Sequence, residues 1–345
     1  MRLRLIQIPA VPSLGVYPTY RTAAAVQELI RRQFLDAKLT SGPSALLPPP
    51  PTVLSFTPSP TFTLGRRQHE DDVSEADMAR LRAPLTVVTR DEDAEKDIAE
   101  SHDPERERER EHENNHAPRR HNRHTHEAYT FQPAVQSSPR GGLTTYHGPG
   151  QAVLWPIFDL KSPLHRHFTV RCYSRLLEDT TADVLRRRYG VDACTTADPG
   201  LWVGEPDGRK IAALGVHLRR NISALGVAVN LDTPTKGAQG QNSNKSSIAA
   251  DQLANPWLRF VPCGLDGKGV TCVADEGRRR FGQVPASWDL QPAPFAAKWA
   301  AALAARLGLE ADVDVADDPT VRRLLEQAGE YMARQEEDKL RGVAA

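Results

Sequence analysis

Apolar positions along the chain change period several times, and each change marks an element. From Arg2 to Ile8 apolar and polar residues alternate, which predicts a strand, whereas Val26, Leu29, Ile30 and Phe34 fall three and four residues apart and predict an amphipathic helix over about 20–37. The runs TVLSFTP at 52–58 and TFTLGRR at 61–67 predict two short strands, expected in the same sheet as the first. Val153, Trp155 and Ile157 alternate again, and Tyr173, Leu176, Leu177, Val184 and Leu185 return to helical spacing within 165–189. The segment 201–218 reads as two apolar runs around Pro206, Asp207 and Gly208, a hairpin signal, with a further strand at 222–231. Two helices close the chain, the last carrying Val321, Leu324, Leu325, Ala328, Tyr331 and Met332 on one stripe. Hairpins mixed with helices, without strict βαβ alternation, predict an α/β (α+β) fold, a single domain over 1–345 with a mixed sheet flanked by helices.

The pattern lapses in three places. Residues 41–51, SGPSALLPPPP, form a proline-rich connector expected to be extended. Residues 91–139 contain ERERERE at 105–111 and six of the eleven histidines, with too few apolar side chains to build a core, so a disordered charged insertion is expected there. The histidines lack regular spacing and no cysteine accompanies them, so no metal site is expected. A second polar insertion is expected at about 233–250.

Composition narrows the function classes. The 345 residues are 39% hydrophobic, enough for a folded core, and the formal net charge of zero lacks the basic excess of a nucleic-acid binder. No apolar run reaches the roughly 18–20 residues that span a bilayer, so neither nucleic acid nor membrane is expected as a partner. Cys172, Cys194, Cys263 and Cys272 show no CxxC or zinc-type spacing and read as reduced thiols of an intracellular compartment, with Cys172 expected as a packing thiol on its helix. The first 27 residues carry Arg2, Arg4 and Arg21 and no acid, the charge bias of a mitochondrial targeting segment, although the predicted first strand overlaps them.

The densest polar chemistry lies at 140–151, RGGLTTYHGPGQ. Its glycines bring backbone N–H groups close to a bound carbonyl or anion, with Arg140 and His147 as further donors; a plain turn between strands is the competing reading. Cys263, in VPCGL, and Lys210, opening KIAALG, are candidate nucleophile and thiolate-stabilising cation. On the residues alone, each also reads as a packing thiol and a solvated turn charge. Taken together, RGGLTTYHGPGQ, GRKIAALG at 208–215, SALGVAVN at 223–230 and VPCG at 261–264 resemble the lipoyl(octanoyl) transferases, relatives of the lipoate and biotin protein ligases.

The resemblance implies a lipoate/biotin ligase-like fold and a two-step transfer of an octanoyl group. Cys263 would be the acyl-thioester nucleophile and Lys210 the base that lowers its pKa. Arg140, Gly141, Gly142, Leu143, Thr144, Thr145, Tyr146 and His147 would line the substrate pocket, with Ala213, Leu214, Gly215, Gly226, Val227 and Ala228 as its other walls. The implied donor is octanoyl-acyl carrier protein, and the implied acceptors are lysines of lipoyl domains of 2-oxoacid dehydrogenase complexes and the glycine cleavage H protein. An activated thioester donor requires no nucleotide or metal, so no cofactor is expected. Mitochondrial residence is implied in the same way. The chain departs from the family pattern at Leu225-Gly226, which stands where HG is usual, and at Thr271-Cys272, which stands where TS is often found; Cys272 is expected to be a buried spectator. The rivals are an ATP-dependent ligase of the same fold and a catalytically silent module that binds lipoyl domains or carrier protein.

Overall fold

The computed structural model describes residues 1–39, 48–89, 127–204, 208–235, 253–260, 268–310 and 312–342. Strand β1 (Arg4–Gln7) leads through a tight turn into helix α1 (Tyr20–Leu39), whose buried face carries Ala23, Val26, Ile30 and Phe34 as their spacing predicts. After β2 (Thr52–Phe56), Pro58 and Pro60 interrupt backbone pairing, and β3 (Thr61–Leu64) does not join the sheet of β1. It pairs instead with β6 (Ala134–Ser137) and β7 (Thr145–His147) in a separate three-stranded sheet. The expectation of one shared sheet thus holds for β2 and fails for β3.

Between these lie helix α2 (Glu75–Arg82), capped by the Ser74 side chain, and a two-stranded ladder of β4 (Leu85–Thr89) with β5 (Glu127–Phe131). The expected charged insertion therefore ends earlier than 139: residues 127–131 and 134–137 are strands. Phe131 and Val135 give them an apolar side, packed against the cluster of Phe62, Leu81, Leu85, Val87, Tyr146, Trp257 and Val270. Residues 91–126 of that insertion lie outside the described residues, as do 41–47 of the proline-rich connector.

The large sheet runs in the order β12, β10, β11, β8, β2, β1, β13, with β9 also paired to β10. Its members are β8 (Gln151–Ile157), β9 (Leu201–Val203), β10 (Arg209–Arg219), β11 (Ile222–Asn230), β12 (Gly269–Val270) and β13 (Asp314–Val315). Parallel pairs of β1 with β2 and β13, and of β10 with β12, combine with antiparallel β2–β8–β11–β10, so the sheet is mixed as expected. Arg220 and Asn221, both at positive φ, make the tight hairpin turn between β10 and β11. The predicted turn at Pro206-Asp207 lies outside the described residues; on either side of it Val203 pairs antiparallel with Arg209, and Trp202 with Lys210.

Helix α3 (Val170–Tyr189) starts later than 165 because Thr169 caps it, accepting from the Cys172 N–H. Helix α4 (Val273–Phe281) was not legible in the sequence; α5 (Pro292–Leu307) and α6 (Asp318–Leu340) are the two closing helices. Two helical pairs, α1 with α6 and α3 with α5, flank the large sheet. Trp299, Phe295, Tyr173 and Leu177 fill the α3–α5 interface, and the buried Trp299 indole donates to Thr181 Oγ1 at 2.8 Å. Of the second polar insertion, Thr233 and Thr235 are buried, the latter donating to the Asp275 carboxylate, so an insertion can start only after 235; the rest lies outside the described residues. Among the described residues no helix is long and apolar enough to cross a membrane.

Candidate active site

Three chain segments converge on one cleft beside the middle of the large sheet. It is lined by Tyr20 of α1; Arg140, Thr145 and His147; Val153 and Trp155 of β8; Ala213, Leu214 and Gly215 of β10; and Leu225, Gly226, Val227 and Ala228 of β11, and has a cavity volume of about 30 Å³. Sequence pairing explains the convergence. In the β10–β11 ladder Gly215 lies opposite Gly226 and Ala213 opposite Ala228, so the smallest residues of both strands form one patch. A side chain on Gly226 would meet the Leu154 carbonyl oxygen at 2.3 Å, and one on Gly215 would strike the Arg140 stem at 2.8 Å. Gly215 thus lets the glycine-loop arginine lie against the strand, and Gly226 lets β8 approach closely.

Arg140 is buried, and its guanidinium donates to the Thr63 carbonyl at 2.6 Å, to Thr63 Oγ1 at 2.9 Å and to the Gly141 carbonyl at 3.1 Å. It ties the loop to β3 while lining the cleft with a fixed positive charge. Beside it, the His147 ring sits 5.3 Å from the Tyr20 ring, and its buried Nδ1 has no hydrogen-bond partner among the described residues. Burial first, and the Arg140 charge second, push the His147 pKa down to about 3, so the imidazole is neutral near pH 7. A neutral, unsatisfied ring nitrogen and a guanidinium on an otherwise apolar lining suit a ligand with a polar head and an alkyl tail.

A buried polar chain fixes the base of the loop. Gln151 Oε1 accepts from the Gly148 N–H at 3.1 Å, its Nε2 donates to Asn230 Oδ1 at 2.8 Å, and Asn230 Nδ2 donates to the Thr271 carbonyl at 2.9 Å. Thr271 Oγ1 donates to Glu276, which also pairs with Arg209, the residue before Lys210. The glycine loop, the end of β11, the start of α4 and the start of β10 are thereby coupled through side chains with few unmade bonds.

Lys210 is only 6% exposed, which excludes the solvated turn charge as its reading. It pairs across strands with Trp202, and its ammonium lies 4.6 Å from the Trp202 ring centroid. Lys210 does not itself line the cleft. Nor do Gly141, Gly142, Leu143, Thr144 and Tyr146 of the predicted set. Gly141 is exposed, Gly142 and Leu143 are half-buried, and Thr144 is held by Gln68 through both its N–H and its hydroxyl. The Tyr146 ring turns into the second apolar cluster, 5.3 Å from Phe62 and 5.4 Å from Trp257, because β7 alternates and its neighbours Thr145 and His147 take the cleft side.

Cys263 lies outside the described residues. Of the other thiols, Cys272 is fully buried at the start of α4, accepts from the Asp275 N–H, and is pushed up to about 12, chiefly by burial and then by Asp275. It is an inert cap, in keeping with a spectator. Cys172 is not the packing thiol expected: it lies in the first turn of α3 on the exposed side, since the buried stripe begins with Tyr173. Sequence reasoning passed over Tyr20, Val153, Trp155, Trp202, Gln151 and Asn230 as site residues. Gln151 and Asn230 carried a signal, being the polar ends of otherwise apolar strands; Tyr20 carried none, since only packing of α1 brings it to the cleft.

Residues 127–281 match the lipoyl protein ligase A/B catalytic domain family. Over that stretch the chain is similar to a lipoyl protein ligase A/B catalytic domain. It is 39% identical over 144 residues to a probable octanoyltransferase of Schizosaccharomyces pombe, covering 41% of this chain and 54% of that one. It is 36% identical over 141 residues to the mitochondrial octanoyl-[acyl-carrier-protein]:protein N-octanoyltransferase of Danio rerio, covering 41% and 51%. The chain spans about half the length of these curated relatives. Among solved structures, a putative lipoate protein ligase from Thermoplasma acidophilum with bound lipoic acid superposes with a TM-score of 0.51 at 13% identity, covering 96% of this chain and 95% of that one. Lipoate-protein ligase A bound with ATP gives 0.50, also at 13%, covering 95% and 94%. At that identity they show the ligase-like fold alone.

Proposed function

We propose that the protein transfers an octanoyl group from octanoyl-acyl carrier protein to a lysine ε-amine of lipoyl domains, including those of 2-oxoacid dehydrogenase complexes and the glycine cleavage H protein, in mitochondria. The observation that carries the reading is the convergence of Arg140, Thr145 and His147 with Ala213–Gly215 and Gly226–Ala228 on one largely apolar cleft, with the buried Lys210 earlier on the same strand as Ala213. Burying an alkyl chain there stabilises by about 0.8 kcal/mol per methylene. In the first step the Cys263 thiolate attacks the donor carbonyl, a new C–S bond forms, the carrier's C–S bond breaks, and the carrier thiolate takes up a proton. In the second, the acceptor amine attacks the Cys263 thioester, loses a proton, and leaves as the amide while the thiolate is regenerated. Lys210 stabilises the thiolate in this reading, and N–H donors of the glycine-rich turns stabilise each oxyanion.

The test is intact mass after incubation with octanoyl-acyl carrier protein, without ATP or acceptor. The expected result is a hydroxylamine-labile octanoyl adduct on the wild type, none on Cys263→Ser, and adduct formation slowed by roughly 100-fold or more in Lys210→Ala. An adduct that persists in Cys263→Ser would move the nucleophile elsewhere. Acylation of the acceptor only with free acid and ATP would establish the ligase reading, and partner binding with no adduct under either condition the silent module.

A further inference from the structure

Lys210 is an ammonium with an aromatic seat. Trp202, 2% exposed in β9, stands directly across the ladder from it, and the Nζ lies 4.6 Å above the indole. No carboxylate among the described residues pairs with Lys210. The indole is itself held from two sides. Its Nε1 donates to the Asp198 carbonyl at 3.2 Å, and the Lys268 ammonium, ion-paired with the Asp198 carboxylate, lies 4.9 Å from the same ring. A cation over an indole face is attracted by the ring quadrupole, more so where water is excluded, and the attraction fixes position without neutralising charge. A carboxylate would hold the ammonium as firmly but would cancel the charge that a nearby thiolate needs.

We infer that Trp202 is a positioning residue for Lys210: its face seats the ammonium with its charge unspent, and the Asp198–Lys268 pair keeps the ring in place. The inference rests on the proposed role of Lys210 beside the Cys263 thiolate. The experiment is the rate of octanoyl-adduct formation from octanoyl-acyl carrier protein as a function of pH, with folding followed by circular dichroism. The proteins are the wild type, Trp202→Phe, Trp202→Leu, Lys210→Met and the Lys210→Met/Trp202→Leu double variant.

Losing a seated cation leaves the thiolate less stabilised, so the Trp202→Leu profile should move to higher pH and its rate near pH 7 fall about tenfold. Trp202→Phe, which keeps a ring face, should lie between. In the Lys210→Met background Trp202→Leu should add less than about twofold, because the two changes remove one interaction. A wild-type pH profile in Trp202→Leu, or an undiminished slowing in the Lys210→Met background, would overturn the inference while leaving the Lys210 role intact. If the Leu variant does not fold, the Phe variant decides by the same profile. A wild type that forms no adduct, or one insensitive to Lys210→Met, removes the thiolate reading and the Trp202 role with it.

Discussion

The side chain with the clearest pH signature is His147. Burial and Arg140 hold its pKa near 3 in the folded chain, against an ordinary value of 6.5. The unfolded chain therefore binds a proton that the folded chain refuses as pH falls from 6.5 toward 3, and stability is lost through that window at about 1.4 kcal/mol per pH unit. At pH 5 this is about 2 kcal/mol relative to pH 7. Urea unfolding of the wild type and His147→Gln at both pH values should show that share of the loss only in the wild type; equal losses in both would place the acid sensitivity in other groups. Leu225 is the other notable residue. It occupies the left-handed region at φ 62° within strand β11 rather than at a turn, at the point where the family pattern has a polar side chain, and nothing in the described residues explains the substitution.

Elements matter here through how they are joined. Strands β8, β10 and β11 supply walls, but their register to the glycine loop depends on Gln151 and Asn230, which bridge Gly148 to Thr271 inside the protein. Asn230→Ala removes the partner of the Thr271 carbonyl and of one of the two N–H bonds made by the Gln151 amide, each costing about 1–3 kcal/mol. A loss of about 2–4 kcal/mol in denaturant unfolding is expected, together with slower adduct formation because the loop end is released. A stability change below about 0.5 kcal/mol would show that the bridge is dispensable. Arg259 performs a similar service for the small sheets: its guanidinium donates to the carbonyls of Ala83 and Pro84 at the end of α2, where a cation complements the helix terminus.

At the scale of the whole molecule, the register of β4 with β5 ends at Thr89 opposite Glu127. Those two residues are cross-strand neighbours, so residues 90–126 join positions that a two-residue turn can span. Replacing 90–126 by an Asn-Gly turn should leave the melting temperature within about 3 °C and adduct formation within about twofold, since stability changes below about 1 kcal/mol shift it by only a few degrees in a domain of this size. A deletion that runs to 130 removes most of β5 and should destabilise the cluster around Phe62 and Tyr146. If the 90–126 replacement itself lost the fold, that segment would be part of the core rather than an addition to it.

Local pattern was enough for much of this. The periods of α1, α3 and α6, the alternation of β8 and the small residues of β10 and β11 all follow from neighbours in sequence, because burial of one face imposes a period of 3.6 or 2 on each element separately. The motif at 140–151 likewise announced its own donors. What sequence could not decide is which element meets which. That β3 leaves the first strand's sheet, that Tyr146 turns away from the cleft while His147 turns in, and that Trp202 lies over Lys210 depend on strand pairing between distant segments. Such pairing is set by the summed burial and hydrogen bonding of the whole chain, a free energy to which no single window of residues holds the terms.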